Sequence, residues 1–163
     1  MLEIRAASAS DIPLVLSFIR KLAEYEKLTL EVVATEETLR KSMFGARPVA
    51  EAVIAYWCGE PAGFALYFHN FSTFLGRPGI YLEDLFVEPA FRRKGIGKAL
   101  FSHLAQVAEE RDCGRLEWSV LDWNQPAIDF YLSLGAIARA EWTTYRLDGE
   151  PLKKLAANQS GDC

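Results

Sequence analysis

The chain is poor in the residues that build metal centres and disulfide scaffolds. Its three cysteines, Cys58, Cys113 and Cys163, are odd in number and widely scattered, which fits free thiols and neither a zinc site nor a disulfide framework. Its two histidines, His69 and His103, have no ligand partners at metal spacing, so no metal is expected. No apolar run is long enough to span a bilayer, and Met1-Leu2-Glu3-Ile4-Arg5 lacks the basic and apolar regions of a signal peptide. A cytoplasmic protein without a membrane partner is the expectation. Lysine and arginine number 18 against 22 aspartates and glutamates, so the net charge is −4. That balance argues against a broad basic surface for nucleic acid and favours a small cationic ligand.

What is present is a chain of 163 residues, 50% hydrophobic and 25% charged, the size and composition of one globular domain. Residues 2–5 alternate as a first strand. Ser8 or Ser10 can cap a following helix with Pro13 in its first turn, and Ile12, Val15, Leu16, Ile19, Leu22 and Ala23 recur on one face. Thr35 can cap a second helix running through Phe44 and ended by Gly45. Residues 50–57 and 63–69 read as a hairpin about the turn signal Gly59-Glu60-Pro61. Residues 70–79 read as a loop and 81–87 as a fourth strand. A helix is expected over 97–111, stopped by Gly114, then a strand over 115–121 and a helix over 124–134 closed by Gly135. Residues 137–147 read as one or two last strands, 151–157 as a short helix, and 158–163 as a polar tail. The whole is a mixed α/β domain spanning 1–157.

The densest chemical signal is Tyr81-Leu82-Glu83-Asp84-Leu85-Phe86-Val87 followed by Arg92-Arg93-Lys94-Gly95-Ile96-Gly97-Lys98: strand, basic glycine loop, helix. Glycines let an anion approach the backbone, and a helix N-terminus offers unpaired N–H groups and partial positive charge, so the segment suits a pyrophosphate. A P-loop would need Ser or Thr after Lys98, where Ala99 stands, and a dinucleotide loop would need a small residue where Leu100 stands. Alone, the loop is also compatible with a basic turn capping an ordinary helix. A second motif, Leu121-Asp122-Trp123-Asn124-Gln125-Pro126-Ala127 through Tyr131 to Gly135-Ala136, joins a strand to a helix. Asn124 and Tyr131, two turns apart, share one stripe of that helix. As isolated residues they are equally a cap and a half-buried tyrosine.

Together these motifs resemble the GNAT superfamily of N-acetyltransferases. With Leu22-Ala23-Glu24-Tyr25-Glu26-Lys27-Leu28 and Phe44-Gly45, the chain is similar to its diamine and polyamine N-acetyltransferases, and within them to the thialysine N-ε-acetyltransferase branch. The resemblance implies a central, mostly antiparallel mixed sheet flanked by helices, acetyl-coenzyme A as co-substrate, and a homodimer. It implies coenzyme contacts at Leu85, Phe86, Val87, Arg92, Arg93, Lys94, Gly95, Ile96, Gly97, Lys98, Asn124, Pro126, Ala127 and Tyr131. Glu83 matches the glutamate that takes the amine proton, and Tyr131 the tyrosine that protonates the departing sulfur. Tyr25, Glu26, Glu83 and Asp84 match the substrate pocket. Ser72 and Phe74 depart from the aspartate and tryptophan of the polyamine enzymes, which turns the expected substrate toward thialysine, lysine-like amino acids or short diamines. Cys113 has no activating base motif, so direct attack in a ternary complex is expected rather than an acyl-enzyme. Peptide or protein N-acetylation and coenzyme binding without turnover are the competing expectations.

Overall fold

The computed structural model describes residues 1–158, so the tail reading falls, beyond Asn158, outside the described residues. Contacts divide the chain into two compact units, Met1–Leu121 and a second that begins at Asp122. The first holds a five-stranded sheet in the order β1-β2-β3-β4-β5: β1 (Leu2–Ala6), β2 (Glu51–Trp57), β3 (Glu60–Ser72), β4 (Arg77–Val87) and β5 (Leu116–Trp118). The first four pair antiparallel and β5 joins β4 in parallel. The helices of this unit are α1 (Ile12–Tyr25), α2 (Glu36–Phe44) and α3 (Ile96–Glu110).

Ile12, Val15 and Phe18 of α1 and Met43 of α2 pack with Ala52, Ile54, Phe64, Leu66 and Phe86 of the sheet, and Phe18 stacks on Phe64 at 5.2 Å between centroids. The opposite face carries α3, whose buried residues are Ile96, Leu100, Phe101, Leu104, Val107 and Ala108. At its end Arg111 reaches Glu51 through two hydrogen bonds (2.6 and 2.9 Å) and lies over the Tyr67 ring. As the sequence suggests, Pro13 lies in the first turn of α1, while Thr35 caps α2 by accepting the Thr38 N–H.

The strand boundaries differ from the sequence expectation in instructive ways. The β2–β3 turn is Cys58-Gly59, both at positive φ (50° and 86°), which matches strand twist, so Glu60 and Pro61 already belong to β3. Pro61 is tolerated there beside a bulge, where Ala62 is the extra residue and its carbonyl accepts the Glu88 N–H at 2.8 Å. The expected loop over 70–79 shrinks to 73–76. Ser72 closes it, its hydroxyl oxygen accepting from the Leu75 N–H (3.2 Å) and its carbonyl from the Gly76 N–H (2.8 Å). Gly114 does not stop α3; the left-handed residue is Asp112 (φ 57°), and the Cys113 N–H returns to the Ala108 carbonyl at 2.8 Å.

The second unit contains α4 (Gln125–Ser133), capped by Asn124 and followed by Gly135 at φ 89°, and α5 (Gly149–Ala157). Residues 137–147 form no strand, against the sequence expectation, and Ile137, Trp142 and Tyr145 are 82%, 73% and 93% exposed. Alternating apolar residues supply a face, but a strand exists only where a partner takes up its N–H and C=O groups.

Candidate active site

The local register of β4 determines what its residues can do. Leu66 of β3 stands opposite Asp84 and Tyr67 opposite Leu82, so Glu83 is the unmatched residue of a bulge. An extra residue reverses the alternation of faces. Ile80 and Leu82 are buried before the bulge; after it Asp84 and Phe86 stand opposite Leu66 and Phe64, on the face that packs against α1. The β5 ladder also ends here, since Leu82 and Trp118 are its last pair. Residues 83–87 therefore keep β3 on one side and have no β5 ladder on the other. Backbone amides alternate direction along a strand, so some N–H groups among Leu85, Phe86 and Val87 point to that open edge. Gly63 permits the close approach of β3 here, because a Cβ would lie 2.5 Å from the Phe86 carbonyl oxygen.

Three carboxylates belong to this region. Glu83 is exposed, Asp84 and Glu26 half-buried. Burial pushes the Asp84 carboxyl up to about 6, with the neighbouring negative charges of Glu83 and Glu26 adding to the shift. Burial also pushes the Glu26 carboxyl up. Tyr25 and Glu26 are held at the end of α1 by a Schellman closure: Lys27, at φ 61°, donates its N–H to Glu24, and the Leu28 N–H returns to Ala23 at 2.8 Å. Among the described residues no salt bridge engages these three carboxylates, and carboxylates that repel one another would gain from a nearby ammonium group.

The loop after β4 opens with a turn of 3-10 helix over Pro89–Phe91, and then Arg93 and Gly95 adopt left-handed backbone (φ 63° and 77°). Gly95 is the N-cap of α3 and has no side chain with which to cap it. The Ala99 N–H closes on the Gly95 carbonyl at 3.0 Å, leaving the amides of the first turn for an external acceptor. With Arg93, Lys94 and Lys98 exposed around it, the loop fits a pyrophosphate. The Arg92 side chain points elsewhere: its Nε donates to the Val87 carbonyl (3.2 Å), and its guanidinium lies 5.4 Å from the centre of the Tyr25 ring.

In the second unit Asn124 is 7% exposed and its Oδ1 accepts from the Ala127 N–H at 3.4 Å. Tyr131, on the same helix, is half-buried with its ring 5.9 Å from that of Phe130, and Pro126 lies in the first turn. The first unit thus brings together Tyr25, Glu26, Glu83, Asp84, the 85–87 backbone and the 92–98 loop. Asn124, Pro126, Ala127 and Tyr131 belong to the second. Sequence reasoning missed Lys21 and Glu88, which form an ion pair from α1 to the turn after β4. The signal was present, because Lys21 lies one turn before Tyr25 on the same helix face. Ser72, expected to bear on substrate choice, is buried and occupied with its own turn, while Phe74 is 98% exposed. Among the described residues no group of three or more His, Cys, Asp or Glu could hold a metal ion, and no helix is long and apolar enough to cross a membrane.

The chain is 42% identical to the thialysine N-ε-acetyltransferase of Bos taurus, over 94% of this chain and 96% of that one. It is 31% identical to an L-ornithine N5-acetyltransferase of Arabidopsis thaliana, over 94% and 87%. Among solved structures, an integron cassette protein of V. cholerae superposes with a TM-score of 0.79 at 32% identity, covering 96% of this chain and 98% of that one. An aminoglycoside acetyltransferase from a soil metagenome, at 21% identity and TM-score 0.75 over 90% and 97%, shares the fold. The model of the acetyltransferase (GNAT) family matches residues 19–136, and the chain belongs to that family.

Proposed function

We propose that this acetyltransferase moves the acetyl group of acetyl-coenzyme A to a primary amine of a small cationic substrate, thialysine, a lysine-like amino acid or a short diamine, by direct attack in a ternary complex. Residues 1–157 act together as the acetyltransferase domain. The observation that carries the reading is the group Glu26, Glu83 and Asp84 at the half of β4 that has left the β5 ladder. The names of its relatives support the substrate class.

Acetyl-coenzyme A supplies an activated thioester. The backbone of 92–98 and the first turn of α3 hold its pyrophosphate, and Leu85, Phe86 and Val87 offer amides on the open edge of β4 to the carbonyl oxygen. Asn124, Pro126 and Ala127 shape the start of α4 against the coenzyme. Asp84 and Glu26 draw in the ammonium and Tyr25 walls the subsite. An alkylamine with a solution pKa of about 10.4 is protonated at neutral pH, so a group must take its proton before attack. Glu83 is exposed, on a bulge, and next to Asp84, which suits it to pass that proton on, directly or through water. The Tyr131 hydroxyl holds the proton for the departing sulfur. This reading takes the protein as a cytoplasmic homodimer without a metal.

The test is acetyl-coenzyme A-dependent acetylation across an amine panel, read by mass spectrometry. Thialysine, lysine-like amino acids and short diamines should outperform spermidine and spermine, and arylamines should be poor. Preference for spermidine would contradict the substrate assignment. Acetylation confined to peptide N-termini, or coenzyme binding without any transfer, would contradict the small-amine reading altogether.

A further inference from the structure

Two contacts join the end of α1 to the turn that leads from β4 into the glycine loop. Lys21 pairs with Glu88, and Tyr25, four residues on and therefore on the same helix face, lies under the Arg92 guanidinium at 5.4 Å. Arg92 also donates its Nε to the Val87 carbonyl at 3.2 Å. The turn is firm: the Glu88 N–H is held by Ala62 (2.8 Å), the Phe91 N–H by Glu88 (2.9 Å) and the Arg92 N–H by Pro89 (3.3 Å). One arginine therefore touches the last residue of the open half of β4 and the wall of the acidic subsite.

We propose that Arg92 is a positioning residue for the amine: its side chain, with Lys21, latches Tyr25 and Glu26 of α1 to the strand end whose amides face the acetyl carbonyl, and it does not serve as a phosphate ligand. The chemistry favours this assignment. The guanidinium is planar, so it stacks on a phenol ring while an edge N–H stays free to donate, and both uses are filled here. Arg93 and Lys98 supply cations at the loop itself, while the Lys94 ammonium lies over the Trp57 ring at 5.1 Å. The latch needs no coenzyme to form, so its energetic coupling is measurable in the coenzyme-free protein. The inference rests on the acetyltransferase reading for its kinetic arm only.

The experiment compares Arg92→Ala, Arg92→Lys, Tyr25→Leu and the Arg92→Ala/Tyr25→Leu double variant with wild type. Amine KM and kcat come from initial rates, the acetyl-coenzyme A dissociation constant from calorimetry, and melting temperatures from the coenzyme-free protein. Arg92→Ala should raise amine KM by about threefold to tenfold, the scale of a lost cation–π contact, with a smaller change in the coenzyme dissociation constant. Arg92→Lys, which keeps a cation over the ring, should recover part of that loss. Melting shifts of the single variants should be non-additive in the double variant, because the two residues share one contact. Weakened coenzyme binding at unchanged amine KM would overturn the proposal, and so would strictly additive melting shifts. A wild-type protein that transfers nothing would overturn the functional reading, and the melting cycle would then decide the latch alone.

Discussion

The two halves of β4 share one strand and do opposite things. Residues 77–82 are laddered to β3 on one edge, and from Ile80 to Leu82 to β5 on the other, with Ile80 wholly buried. Residues 83–87 keep only β3, begin with an unmatched glutamate, and carry an aspartate whose burial and acidic neighbours make it reluctant to ionise. The first half contributes stability through satisfied amides and apolar contacts. The second gives up one ladder, and under the proposed function its amides and carboxylates are the groups that meet the substrates.

Breaking the closed half should cost the most. Ile80→Ala removes a fully buried side chain and should destabilise the protein by about 2 to 5 kcal/mol in denaturant unfolding. Activity per folded molecule should be largely retained, since Ile80 touches none of the proposed chemistry. A smaller effect of opposite sign belongs to the open half. The Asp84 carboxyl, raised to about 6 in the folded protein, binds more protons there than in the unfolded chain. Its contribution therefore favours folding less and less as pH rises from its ordinary value through about 6. Asp84→Asn should stabilise the protein at pH 7.5, by on the order of 1 to 3 kcal/mol, and leave stability nearly unchanged near pH 3, below the ordinary aspartate value, where both states are protonated. In the same variant the fall of amine KM between pH 5 and 7 should become shallower, because below about 6 the wild-type pocket has lost the Asp84 carboxylate while the amine stays cationic, and only Glu26, also raised by burial, still titrates beside it. The smallest effect is at the end of α1. Lys27 adopts φ 61°, and Lys27→Gly should stabilise by about 1 kcal/mol or less, the left-handed strain relieved against the entropy that glycine adds to the unfolded chain.

Much of this was legible in the residues. Thr35 and Asn124 are caps because a short oxygen-bearing side chain reaches the third amide beyond it, and Gly135 marks the close of α4 because its φ of 89° costs glycine little. The glycine loop and the Glu83-Asp84 pair were located by motif. The bulge was not, because an inserted residue looks like any other strand residue until its partner strand is known. For the same reason Ser72 read as loop although its own hydroxyl ties the turn, and Asp112 rather than Gly114 ends α3 because aspartate also tolerates left-handed backbone. Residues 137–147 carry the pattern of strands, yet pattern specifies only a face.

The central claim, that the open half of β4 handles the amine proton, is tested most directly by the pH profile of kcat/KM for Glu83→Gln on the best amine. Glu83 is exposed, so the variant should melt with wild type. Its activity near pH 7 should fall by roughly a hundredfold or more, and the deficit should shrink steadily as pH rises toward 10, where solution supplies neutral amine without help. A deficit that stays constant across that range would contradict the account and reassign Glu83 to binding alone.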